Sequence, residues 1–141
     1  MFKRVYTQLN QGEEMLIYGH PWIKSNIFRK VFKISDIKET NPDDIILLEP
    51  LVDSILVAQY CQANSIKFAV TVTSTTEAIF ANALDASFVI SPIEEGSFIQ
   101  SVAQDYLFDT KVLVLINEEK DISKMARVSI DGVIFPSAII A

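Results

Sequence analysis

Short apolar runs recur along the chain. They are "EMLIYG" (14–19), "DIILLEP" (44–50), "KFAVTVT" (67–73), "SFVISP" (87–92), "KVLVLIN" (111–117) and "GVIFP" (132–136). After the first, their starts fall about 22 residues apart. Most do not alternate apolar with polar. A strand apolar on both faces is buried on both faces, the mark of a parallel sheet covered by helices. The intervening segments then read as crossover helices. "LVDSILVAQYCQAN" (51–64) carries an apolar stripe through Ile55, Leu56 and Tyr60. "TTEAIFANALDA" (75–86) follows Ser74, which with Glu77 has the spacing of a capping box. "IEEGSFIQSVAQDYLF" (93–108) and "EEKDISKMARVS" (118–129) both place carboxylates in their first turn, where the helix dipole favours them.

The order is a βα unit, a loop, four more βα units and a last strand. This predicts an α/β fold: a Rossmann-like three-layer α-β-α sandwich with a mainly parallel, doubly wound sheet of five or six strands. A full (β/α) barrel needs eight units and about 250 residues, so the open sheet is expected for 141 residues. The organisation expected is a single domain over 1–141, with 1–13 a lead-in and 14–141 the βα units. "PSAIIA" ends just after a strand, where a helix would begin, which reads as a segment of a longer protein.

The chain also echoes itself. Lys67–Pro92 slides without a gap onto Lys111–Pro136, matching Lys67 with Lys111, Val70 with Val114, Val89 with Val133, Ile90 with Ile134 and Pro92 with Pro136. Each echo is the strand that closes a crossover. Asp85 and Asp131 fall in the helix-to-strand turns, and Pro92 and Pro136 end their strands because proline cannot donate to a ladder.

Charge narrows the function. The net charge is −6. Nucleic-acid binding rests on phosphate contacts, so no nucleic-acid partner is expected. The one basic cluster, Lys24, Arg29, Lys30 and Lys33, has the spacing of a solvated helix face, and Trp22, Phe28 and Phe32 that of an apolar one. Cys61 is the single cysteine, read as a small buried hydrophobe in a reducing compartment. No apolar run reaches the roughly 18 residues of a membrane span. The expected location is the cytoplasm, or the soluble part of an inner-membrane protein.

In open parallel sheets ligands bind beyond the carboxyl ends of the strands. That marks Gly19, His20, Glu49, Thr73, Ser74, Ser91, Asn117 and Glu118. Of these, Gly19, His20, Glu49 and Glu118 are the candidate ligand-binding residues; Glu49 and Glu118 together could hold a cation or a ribose. No catalytic residues and no metal site are assigned. His20 is the only histidine and cannot build a multi-histidine metal site; its plainest role is in a turn. No serine has a partnered base visible in sequence.

"IKFAVTVTSTTEAIFANALDASFVISPIEEGSFI" resembles the second half of the N-terminal lobe of regulator-of-potassium-conductance (RCK) domains, also called TrkA-N or KTN domains. "DDIILLEPLVDSILVAQYCQANSIKF" resembles the preceding strand and helix, and "MLIYGHPWIKSNIFRKVFK" the first βα unit. "KVLVLINEEKDISKMARVSIDGVIF" is similar to the family's second strand, helix and third strand, here placed after the "VISP" strand. The resemblance implies a non-catalytic regulatory module that self-associates, with a membrane potassium channel or transporter as partner, and senses a ligand or ion. The family's G-x-G-x-x-G loop is replaced by "YGHPWIKSN", with one glycine. Conventional NAD or ATP binding is therefore not expected. Two other resemblances point elsewhere. "IILLEP" and "FVISP" are similar to receiver-domain strands with Glu49 and Ser91 at the phosphoacceptor and lysine positions, implying a degenerate signalling domain. "KVLVLINEEKDISKMARVSIDGVIFPSA" resembles the late strands of the 2-keto-3-deoxy-6-phosphogluconate aldolase barrel, with Val133 near its Schiff-base lysine, implying a small phosphate or keto-acid enzyme remnant.

Overall fold

The computed structural model of the chain describes residues 14–141; the expected lead-in over 1–13 lies outside them. Its strands are β1 (Leu16–Tyr18), β2 (Phe28–Lys30), β3 (Ile45–Leu48), β4 (Phe68–Thr71), β5 (Phe88–Ser91), β6 (Lys111–Leu115), β7 (Gly132–Ile134) and β8 (Ile139–Ile140). The α-helices are α1 (Ile55–Ala63), α2 (Thr75–Ala83), α3 (Gly96–Asp105) and α4 (Lys120–Arg127), and 3-10 turns cover Ile34–Glu39, Leu51–Asp53 and Pro136–Ala138. All strand pairs are parallel, in the order β1-β7-β6-β5-β4-β3-β2-β8.

The α/β class and the parallel βα succession are as the sequence predicts. The strand number is corrected from five or six to eight. β2 replaces the helix expected around Lys24–Lys33, and β8 occupies the end of the chain. The winding also differs from the doubly wound arrangement. From β2 to β7 each strand lies beside its predecessor in one direction. Right-handed crossovers that always advance the same way place their helices on the same side of the sheet. One apolar cluster joins the outward side chains of β3–β6 to α1, α2 and α3, and another joins β6 and β7 to α4. On the other face Phe28, Ile45, Leu47, Ala69, Phe88, Ile90, Leu113 and Ile134 pack on one another, with Leu16, Tyr18 and Ile139, and no α-helix contributes.

Such a sheet must curl. β7 and β8 stand six strand positions apart, about 29 Å across a flat sheet at the usual spacing. The chain from Ile134 to Ile139 can span at most about 18 Å. Curling brings the sheet's ends towards each other. The rings of Tyr18 on β1 and Phe28 on β2, at almost opposite ends of the ladder, lie 5.0 Å apart, and Phe88 lies 5.8 and 5.6 Å from them. These three rings fill the hollow that the curl creates.

The crossovers share one ending. After α1, α2, α3 and α4 the chain turns through Ser65, Asp85, Leu107 and Ser129, each with φ between 54° and 67°. The next residue's N–H returns to a carbonyl five residues back: Ile66 to Cys61, Ala86 to Ala81, Phe108 to Ala103 and Ile130 to Met125. This is a Schellman closure made without glycine. The sequence echo thus continues as a structural repeat through all four units.

Candidate functional site

Parallel strands in one curled sheet deliver all their carboxyl ends to the same rim. Alternation then decides which side chains face the hollow. Phe28, Leu47 and Ala69 face inward, so Lys30, Glu49 and Thr71, two residues further on, face inward at the rim. There they meet. Glu49 Oε1 is 2.9 Å from Lys30 Nζ, and Glu49 Oε2 accepts the Thr71 hydroxyl at 3.0 Å. Three consecutive strands thus supply a base, an acid and a hydroxyl to one cluster, over a floor of Tyr18, Phe28 and Phe88. Burial pushes the Tyr18 phenol above its ordinary value, which keeps it neutral.

Gly19 and His20 lie across the rim, where β1 ends. Gly19 has φ +88°, donates its N–H to Ser25 Oγ at 3.0 Å, and its carbonyl accepts the Ser137 hydroxyl at 2.6 Å. A Cβ there would stand 3.0 to 3.1 Å from Ser137 and Ala138. The positive φ and this close approach account for the glycine. His20 sits in the turn that follows, its carbonyl accepting from Ile23 N–H. Its ring is fixed at both nitrogens: Nδ1 accepts from Trp22 N–H at 3.1 Å, so Nε2 carries the proton in the neutral ring and donates to Glu119 Oε2 at 2.6 Å. The rings of Trp22 and Phe135 flank it at 5.3 and 5.7 Å. This contact ties the loop after β1 to the start of α4.

Glu49 is in the cluster, whereas Glu118 turns to Lys120, 3.2 Å away on the exposed surface. Thr73 and Ser74 belong to a cap: Ser74 Oγ accepts Glu77 N–H at 3.2 Å, and Glu77 Oε1 accepts Thr73 N–H at 2.7 Å. The predicted capping box is present in this form, with the return bond one residue earlier. Ser91 is fully buried, and its hydroxyl donates to the Pro92 carbonyl. Val133, near the position of a Schiff-base lysine in the aldolase resemblance, points to the helix side. Among the described residues no three His, Cys, Asp or Glu side chains gather as a metal site.

Lys30 and Thr71 are absent from the sequence-based site. The signal that could find them is the two-residue step from Phe28 and Ala69, which requires 28–30 to be read as a strand. Two cavities lie at the opposite end of the sheet. One, of about 660 Å³, is lined by residues that include Gln100, Leu107, Lys111 and Asp131. Its polar groups hold the fold: Gln100 Oε1 accepts Asp131 N–H, and Asp131 Oδ2 accepts Val112 N–H, both at 2.8 Å. Among the described residues, the rim is where unlike charged side chains, Lys30 and Glu49, meet on the inner face of the sheet.

No helix is long and apolar enough to cross a membrane among the described residues. The chain matches no protein-family model and no curated protein.

Proposed function

We propose that the chain is a regulatory module that binds a small ligand at the rim of its curled sheet and transmits binding through association with copies of itself. The observation that carries this reading is the Lys30–Glu49–Thr71 cluster. It lies at the carboxyl end of a singly wound parallel sheet, where (β/α) barrels place their ligands, and its charged side chains are partly open to solvent.

The outer surface supports the association half. Val52, Leu56, Tyr60, Ile79 and Phe80 are exposed on and beside α1 and α2. These helices are joined where Gln62 Nε2 donates to Asp85 Oδ2 at 3.0 Å. α1 has no charged residue, and the one in α2, Glu77, is engaged in its cap. An interface core is depleted of charge in this way, and two copies each carrying −6 meet with least repulsion there. The resemblance to RCK domains extends the proposal to a cytoplasmic module of a membrane potassium channel or transporter. Ligand binding would then act by favouring one of two assembly states.

The test is a thermal-unfolding screen of nucleotides, cations, phosphate and keto acids, with size measured in parallel. A ligand present at about 100 times its dissociation constant adds roughly 2.7 kcal/mol. A stabilising ligand that also shifts an oligomer equilibrium supports the reading; a monomer with no response to any compound removes it.

A second reading, a small keto-acid enzyme, is favoured by one observation: a lysine amine at the rim of a barrel-like sheet. It predicts that pyruvate with borohydride, which reduces the imine formed with loss of water, modifies Lys30. An unmodified Lys30 removes it.

A further inference from the structure

Glu49 presents both carboxylate oxygens to groups on the flanking strands, one to an ammonium and one to a hydroxyl. Those are the donors that an oxyanion ligand would use. We propose that the rim site takes a small oxyanion, a carboxylate or a phosphate group, and that Glu49 is a resident competitor that occupies its place on Lys30 and Thr71 until displaced. This rests on the rim being the ligand site.

Three features favour a displaceable carboxylate over a fixed structural pair. Lys30 and Glu49 have side chains about one-third exposed, and a pair so open to water holds itself weakly. The ammonium has three protons to donate and its contact with Glu49 uses one of them, so a ligand can be met before Glu49 leaves. The site has a firm base, because the rings of Tyr18, Phe28 and Phe88 close the hollow beneath it. On the same rim, at the end of β6, the Leu115 side chain is partly open to water and offers an apolar contact for the carbon skeleton of a small acid.

The expected order of affinity is unusual. Removing a ligand contact normally weakens binding. Removing an internal competitor strengthens it, since the ligand no longer has to break the Lys30–Glu49 pair or face a neighbouring negative charge. Glu49→Gln keeps the shape and an oxygen for Thr71 but discards the charge.

The experiment titrates inorganic phosphate and, separately, pyruvate into wild type, Glu49→Gln and Lys30→Met at low salt. Backbone amide shifts at Thr71 and Leu115 report binding, and thermal unfolding confirms that each variant is folded. Glu49→Gln should bind at least one of the two probes about tenfold more tightly than wild type, and Lys30→Met should lose that binding. Which probe responds separates a phosphate from a carboxylate ligand. Equal or weaker binding by a folded Glu49→Gln overturns the competitor role while leaving the rim a ligand site. A stabilising cation or uncharged compound at the rim, with neither probe bound by any variant, overturns the oxyanion assignment alone.

Discussion

The Ser137 hydroxyl donates to the Gly19 carbonyl at 2.6 Å across 118 positions of sequence. Phe135 N–H adds a backbone bond to the Tyr18 carbonyl. Together they fasten the turn before β8 over the end of β1, so the chain's last turn holds the strand at the far end of the ladder. The curl is kept by these few bonds and by the aromatic rings inside it.

Ser137→Ala should therefore loosen the seam while leaving the rest of the sheet intact. The lost hydrogen bond is worth about 0.5–1.5 kcal/mol. Amide hydrogen exchange checks it: Phe135 and Ala138 should exchange faster, and Val89 and Leu113, in the middle of the sheet, should not. Unchanged exchange at Phe135 would show that the hydroxyl does not hold the seam.

The same curl leaves no room at Gly132. A Cβ there would stand 2.7 Å from both the Cβ and the carbonyl oxygen of Leu16 and 2.8 Å from Leu113 Cδ2. Backbone cannot yield as a side-chain tip can. Gly132→Ala should cost about 1–3 kcal/mol by overpacking, seen as a lower denaturant midpoint. Since Gly132 pairs with Leu16, β1 should be the first strand to lose exchange protection.

Much of the fold is legible in the sequence because βα units state themselves locally. The runs around Ile46, Val70, Val89, Val112 and Val133 are apolar on both faces, and each is a strand buried on both faces. β2 is hidden for the opposite reason. Arg29 pairs with Asp44 and Lys30 with Glu49, so two of its three residues are charged, and the spacing of Trp22, Phe28 and Phe32 imitates a helix. Phe28 is buried, but Trp22 and Phe32 are exposed. Missing β2 hides the site as well, since Lys30 is on it. The curl is hidden because it depends on the length of the β7–β8 connection, and β8 is only two residues long.

Asp44 gives the fold a predictable acid response. The Arg29 side chain, 2.7 Å away, holds its carboxyl below the usual carboxylate range; burial opposes this, and Asn41 N–H, with the Arg29 charge, adds to it. A carboxyl depressed in the folded state binds its proton more readily when unfolded. Its contribution is therefore complete above the unfolded value near 3.9 and is lost as pH falls through the lower, folded value. Asp44→Asn should flatten the stability–pH curve below about pH 4 and leave its shape near neutrality unchanged. An equally steep acid limb in the variant would place the effect elsewhere.

The four helix endings make a last prediction, against the habit that surface substitutions do little. Leu107 holds φ 54° and is 85% exposed. A residue with a Cβ strains in that region by about 1–2 kcal/mol, and an exposed leucine gains little packing in return. Glycine removes the strain but adds freedom to the unfolded chain worth about 0.4–1 kcal/mol. The difference favours the substitution. Leu107→Gly should raise stability by up to about 1 kcal/mol, provided the Schellman bond from Phe108 N–H to the Ala103 carbonyl persists. Reversible denaturant unfolding measures it. A destabilised Leu107→Gly would mean that Leu107 is covered in solution, and that the surface between α3 and β6 is itself an interface.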